Sequence, residues 1–233
     1  LAKLIELEWR KLDQKKVIGE VMVYWVIIMF LPTFFFKVIF TDDMAFMGFT
    51  ESYASALQLM VPIQMGFVLF GASMINHVFI EEYKNKTMSL SFGYPISRKK
   101  LLMAKVLFIF LAVFLCTLIS FVLSGITTYV IDQIFDVIHG QPTMEDIMAY
   151  TTKSIIYSVV VALISFVPLF LFGLWKRAVI PTVICAVFLA QFPNFTGLLH
   201  ITLNTDMLYA VMSLIGLVSV YLSVAKVNQL GDI

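Results

Sequence analysis

Apolar residues fall in six long runs separated by short polar stretches: Val21–Phe40, Leu57–Ile80, Val106–Val130, Ser154–Trp175, Ala178–Phe192 and Met207–Ala225. A helix crosses the ~30 Å hydrocarbon layer with about 20 mostly apolar residues. The pattern therefore predicts an all-α membrane protein with six transmembrane helices. The fifth run has only 15 residues before Pro193-Asn194; at about 1.5 Å per residue it reaches roughly 22 Å. The stretch after it, 193–206, stays apolar but is interrupted. It predicts a re-entrant or interfacial segment over Thr196–Leu203, with an ordinary outer loop as the alternative. Pro32, Pro62, Pro168 and Pro181 lie inside runs, where neighbouring helices can satisfy the freed carbonyls.

Residues 1–16, "LAKLIELEWRKLDQKK", place Leu1, Leu4, Ile5, Trp9 and Leu12 on one arc at helical spacing, with Lys3, Glu6, Arg10 and Asp13 opposite. Leu7 and Glu8 depart from that pattern. An amphipathic helix with Trp on its apolar side suits the membrane interface; a helix packed on a partner protein is the other reading. The chain opens on charged residues rather than a short apolar core with a small-residue cleavage site, so no removable signal peptide is expected.

Composition strengthens the membrane reading. The chain is 61% hydrophobic and 13% charged, with a mean hydropathy of +0.95, whereas soluble domains carry about a quarter charged residues. The net charge of +1 hides a segregation: 14 of the 16 lysines and arginines lie in the N-terminus, Glu81–Lys105, Lys176-Arg177 and the C-terminus. The opposite face has Lys37 and Lys153 against Asp42, Asp43, Glu51, Asp132, Asp136, Glu145, Asp146 and Asp206. The positive-inside rule then predicts a multi-pass protein of the cell membrane with both termini cytosolic.

Little here suggests catalysis. There is no G-x-x-x-x-G-K-[ST] phosphate loop and no H-E-x-x-H, and no paired intramembrane carboxylate. His77, His139 and His200 are scattered, so no metal site is expected. Cys116 and Cys185 both lie in apolar runs and read as small hydrophobes. Ser73, Asn76 and His77 form a possible polar site near the end of the second run, either for interhelical hydrogen bonding or for a proton relay. Glu20 opens the first run at headgroup depth. In the outer loop 132–153, Pro142-Thr143 can start a helix whose first turn is favoured by Glu145 and Asp146.

The most polar internal stretch is "EEYKNKTMSLSFGYPISRKK", 81–100. Lys84–Phe92 can form a short helix, Gly93-Tyr94-Pro95 ends it, and Ser97 can cap the next one. The cluster Arg98–Lys100 opposes that helix's dipole, so something else selects it. This stretch resembles the loop between the second and third spans of type-2 ATP-binding-cassette (ABC) transporter permeases. The matching residues are Glu82, Thr87, Leu90, Pro95-Ile96-Ser97-Arg98 and Lys105; Lys86 replaces the family's glycine before the threonine. The amphipathic start, the six spans and the broken segment before the last span match as architecture.

The resemblance implies a single permease domain over 1–233 in which 81–100 is a cytosolic coupling helix. Glu81, Glu82, Lys86, Thr87, Leu90, Tyr94, Pro95, Ser97 and Arg98 would seat it on a separate ABC ATPase subunit. ATP and Mg would sit on that partner, so this chain would be no enzyme and carry no cofactor of its own. The implied partners are the ATPase, a second permease copy or paralogue, membrane lipids and a hydrophobic or amphipathic cargo; nucleic acid is not among them. The short outer loops look most like peptide-export and bacteriocin-immunity permeases of Gram-positive bacteria. A membrane scaffold or sensor, or a stand-alone secondary transporter, is the alternative.

Overall fold

A computed structural model describes residues 2–40, 60–85, 97–135, 142–198 and 204–227. Every regular element among them is helical: α1 (Ala2–Lys11), α2 (Gln14–Phe40), α3 (Met60–Lys84), α4 (Arg98–Phe135), α5 (Met144–Ile164), α6 (Val179–Leu198) and α7 (Thr205–Ala225). Of these, α3, α4, α5 and α7 are long and apolar enough to cross a bilayer. The central helix is α3, with 72% of its apolar window buried against 28–39% for the other three.

The clearest membrane signature is on α4. Its outward ridge is Met103, Leu107, Leu111, Leu115, Ile119, Val122 and Ile126, all substantially exposed. The face turned inward carries Thr117, Ser120, Ser124, Thr128 and Asp132, all buried. In water this polarity would be reversed. With hydrocarbon as the solvent, apolar groups face out and hydroxyls seek partners within the bundle. Thr117 donates to the Val113 carbonyl one turn back at 2.7 Å, and Gln64 on α3 donates to Ser124 at 3.1 Å.

Several helix limits differ from those expected. The third run lies within a helix of 38 residues, about 57 Å long. The outer-loop helix is not separate: Thr143 and Asp146 form a capping box that opens α5, which then continues into the fourth run. Pro193 does not end α6, which runs on to Leu198; its 20 residues give about 30 Å of helix, with Val179–Pro193 as the apolar part. Pro181 sits in its first turn, where an N–H has no helical partner to lose. Thr196–Leu198 thus belong to α6, and 199–203 fall outside the described residues, as do His139 and His200.

Pro168 breaks the fourth run. After Ile164 the chain passes through tight turns into a π-helical segment, Leu169–Trp175. Ser219 of α7 repairs the break: it donates to the Val167 carbonyl at 3.2 Å and accepts from the Phe170 N–H at 3.1 Å. Ser219→Ala would leave both backbone groups without that hydroxyl, and a loss of about 1–3 kcal/mol is expected, measurable by thermal denaturation in detergent. Small residues bring the helices close. A Cβ on Gly71 would lie 2.4 Å from Ser165 Cβ, and one on Gly216 would lie 2.0 Å from the Leu163 carbonyl oxygen.

Candidate functional site

The ends of α1, α3 and α4 meet in a charged node. Lys105, fully buried, donates to Glu8 at 2.7 Å and to the Val78 carbonyl at 3.3 Å, and pairs with Glu82 at 2.8 Å. Glu8, 3% exposed, also receives Lys11 at 3.2 Å, and Lys11 stands 3.6 Å from Glu82. Burial alone would lower the Lys11 ammonium, but Glu8 and Glu82 outweigh it and hold its pKa above 10.5. The raised value means that this tie is fully present below pH 10.5 and is lost only as pH rises through the folded pKa.

Each part of the node has a local cause. On α1, Glu8 faces the same way as Ile5 and Trp9, toward α4, and Trp9 packs against Phe108 with ring centroids 6.3 Å apart. On α3, a π-helical turn over Asn76–Ile80 releases carbonyls from the ordinary ladder, and such turns recur at functional positions. The Val78 carbonyl in that turn is one that Lys105 reaches. Lys105 itself lies two turns into α4, whose first hydrogen bonds run to the Ser97 carbonyl from Lys100 at 2.9 Å and Leu101 at 3.2 Å.

A second polar cluster adjoins the first. His77 Nδ1 lies 3.0 Å from Glu81, and its Nε2 lies 3.4 Å from Glu20 on α2. Ser73 donates to Glu20 at 2.7 Å, and Asn76 donates to Glu81 at 3.2 Å. An imidazolium can donate to both carboxylates at once; a neutral ring can serve only one. Ser73, Asn76 and His77 thus lie together on α3 with Glu81, and Glu20 connects them to α2. Among the described residues no group of three or more His, Cys, Asp or Glu side chains is arranged to hold a metal ion.

Beside the node, Arg177 stacks over the Tyr83 ring with its guanidinium carbon 4.2 Å from the centroid, and Arg98 is also within electrostatic reach of Tyr83. Arg177 has φ +50°, the only positive value outside glycine among the described residues. That conformation costs about 1–2 kcal/mol, and the stacked ring is one contact that holds it. Of the residues predicted to seat a partner, Glu81, Glu82, Ser97 and Arg98 are thus gathered at one end of the bundle. Lys86, Thr87, Leu90, Tyr94 and Pro95 lie outside the described residues.

Residues 4–193 match the family described as ABC-2 family transporter protein. The chain belongs to the ABC-2 family. The match covers most of α1, the node, and both α3 and α4. An uncharacterized protein of Bacillus subtilis, YcbO, is 36% identical over 131 residues, covering 56% of this chain and 57% of that protein. No solved structure matches.

In this ABC-2 protein, sequence reasoning missed Glu8 as a site residue. The available signal was its position: an acid on the apolar arc of α1 needs a buried cation, and Lys105 is buried two turns into α4. Lys105 was placed in the motif but given no charge partner. The inward stripe Thr117–Ser120–Ser124–Thr128–Asp132 was also missed, although its spacing of three and four residues is visible in the sequence.

Proposed function

We propose that this chain is the permease subunit of an ABC exporter, driven by a separate ATPase seated on the segment between α3 and α4. The observation that carries the reading is the Glu8–Lys105–Glu82 node. A loop that only joins two spans has no use for buried charges. A segment that must move α3, α4 and the interfacial helix as one body does, because an ion pair with fixed partners allows little independent motion. Glu82 stands at the start of the segment and Arg98 at its end, with Tyr83 and Arg177 between them, so force applied to the segment reaches three elements together.

Both termini and the node lie on the cytosolic side in this reading, supported by the placement of 14 of the 16 basic residues on that face. The α2 and α6 helices complete six spans with α3, α4, α5 and α7. The cargo assigned to the path is hydrophobic or amphipathic, with a peptide of the toxin or antimicrobial type as the specific case. A weakly charged interior that accepts molecules laterally from the membrane suits it. The assembly is a dimer, with either a second copy or a paralogue.

The test is to tag the chain, extract it gently and identify what co-purifies. A soluble protein bearing a phosphate-binding G-x-x-x-x-G-K-[ST] loop is expected. Arg98→Ala should reduce its recovery at least about tenfold, as truncation of an interface arginine does, without changing membrane insertion. No ATPase in several mild detergents would turn the reading toward a scaffold or a stand-alone transporter.

A further inference from the structure

We infer that the cavity between the far end of α4 and the start of α5 is a binding site for a single-chain cationic amphiphile. It is an open cleft of about 500 Å³, within the range of small-molecule sites, and lies some twenty residues along α4 from Lys105, or about 30 Å. Val122 and Ile126, the last members of the outward ridge of α4, form an apolar wall on the lipid-facing side, and Gly125 opens the wall inward. Because Gly125 has no side chain, the Tyr150 ring approaches α4 closely. A Cβ there would meet the ring at 3.0 Å, and the Tyr150 hydroxyl, donating to the Phe121 carbonyl, fixes the ring in place.

Two polar groups make this more than a gap between helices. Thr128, only 5% exposed, lines the cavity, and its hydroxyl oxygen is buried without a protein hydrogen-bond partner. Buried hydroxyls are nearly always paired. Asp146 stands at the cavity with one carboxylate oxygen held by the Thr143 N–H at 3.1 Å and the Thr143 hydroxyl at 2.8 Å. These bonds orient the carboxylate without removing its charge. Acids dominate this end of the chain, with Asp132, Glu145, Asp146 and Asp206 against Lys153 on the same elements. An apolar slot with the Asp146 carboxylate at its edge selects a hydrocarbon chain carrying a positive head, and disfavours an anionic one. The assignment does not depend on an ATPase or on transport.

The test uses the full chain in nanodiscs of zwitterionic lipid. The probe is dodecyltrimethylammonium carrying a diazirine on its alkyl chain, with the matching dodecyl sulfate as the comparison. The cationic probe is expected to label residues 122–129 and 146–150 about tenfold more than the anionic one, the scale of one charge-assisted contact, and unlabelled cation should compete. Ile126→Trp, which fills the slot, and Thr128→Val, which keeps its shape but removes the hydroxyl, should each reduce labelling several-fold while elution and thermal stability stay the same. Equal labelling by both probes would overturn the site. So would labelling spread over exposed α7 positions outside the cavity, such as Leu214 and Val218, that Thr128→Val leaves unchanged.

Discussion

Lys105→Met is expected to destabilise the folded chain by about 3–5 kcal/mol. The ammonium is fully buried between Glu8 at 2.7 Å and Glu82 at 2.8 Å, so its removal leaves the buried Glu8 and the largely buried Glu82 with only the half-exposed Lys11, 3.2 Å and 3.6 Å away, to balance them within the node. The attraction within such a node does not by itself stabilise the fold over an apolar replacement, because desolvating the three charges is also expensive. The triple variant Glu8→Leu, Glu82→Leu, Lys105→Met should therefore recover most of the stability. It should not recover coupling to an ATPase, since no fixed partner would hold the loop to α1. Thermal denaturation in detergent, followed by partner-stimulated ATP hydrolysis, separates the two effects. A single variant as stable as the parent would show that the three charges are not mutually dependent.

Gly216→Ala should be the second severe change. The added Cβ would lie 2.0 Å from the Leu163 carbonyl oxygen and 2.9 Å from its carbon. Both are backbone atoms, which cannot rotate aside, so α7 must retreat from α5 by about 1 Å or more. Overpacking of this kind costs about 1–3 kcal/mol or more. The retreat also strains the Tyr157–Asp206 hydrogen bond of 2.5 Å and the Tyr157–Tyr209 ring contact, whose centroids are 5.8 Å apart, because both bridge the same two helices. Gly19→Ala is the control: nothing lies within 4 Å of the new Cβ, and alanine is favoured over glycine in a helix by about 0.5–1 kcal/mol. Paired melting curves in which both variants behave alike would rule out a steric cause.

The sequence was most legible where hydrophobic length alone decides. The positions of the helices and the amphipathic start on α1 could be read directly, as could Thr143 as a helix start, because each rests on a local pattern. What was not legible depended on contacts between distant elements. Glu8 looked like a flaw in an apolar arc, and only the packing of α1 on α4 makes it half of an ion pair with a residue 97 positions away. Pro193 carried the standard signal of a stop, yet α6 continues; within a membrane bundle one lost N–H does not outweigh the remaining helical bonds. Pro168 carried the same signal and did mark a break, with Ser219 on hand to satisfy the backbone. Two identical residues in similar surroundings thus gave different outcomes, set by partners that the local sequence does not name.

The length of α4 has a mechanical consequence. It is one continuous helix of 38 residues, about 57 Å from end to end, almost twice the hydrocarbon thickness. A stiff rod of that length pivoting by about 10° at its midpoint swings its two tips by roughly 5 Å in opposite directions. The charged node sits near one tip and the Thr128 cavity near the other. Whatever fixes the tilt at one end therefore sets the geometry at the other, and thermodynamic reciprocity requires the influence to be equal in both directions.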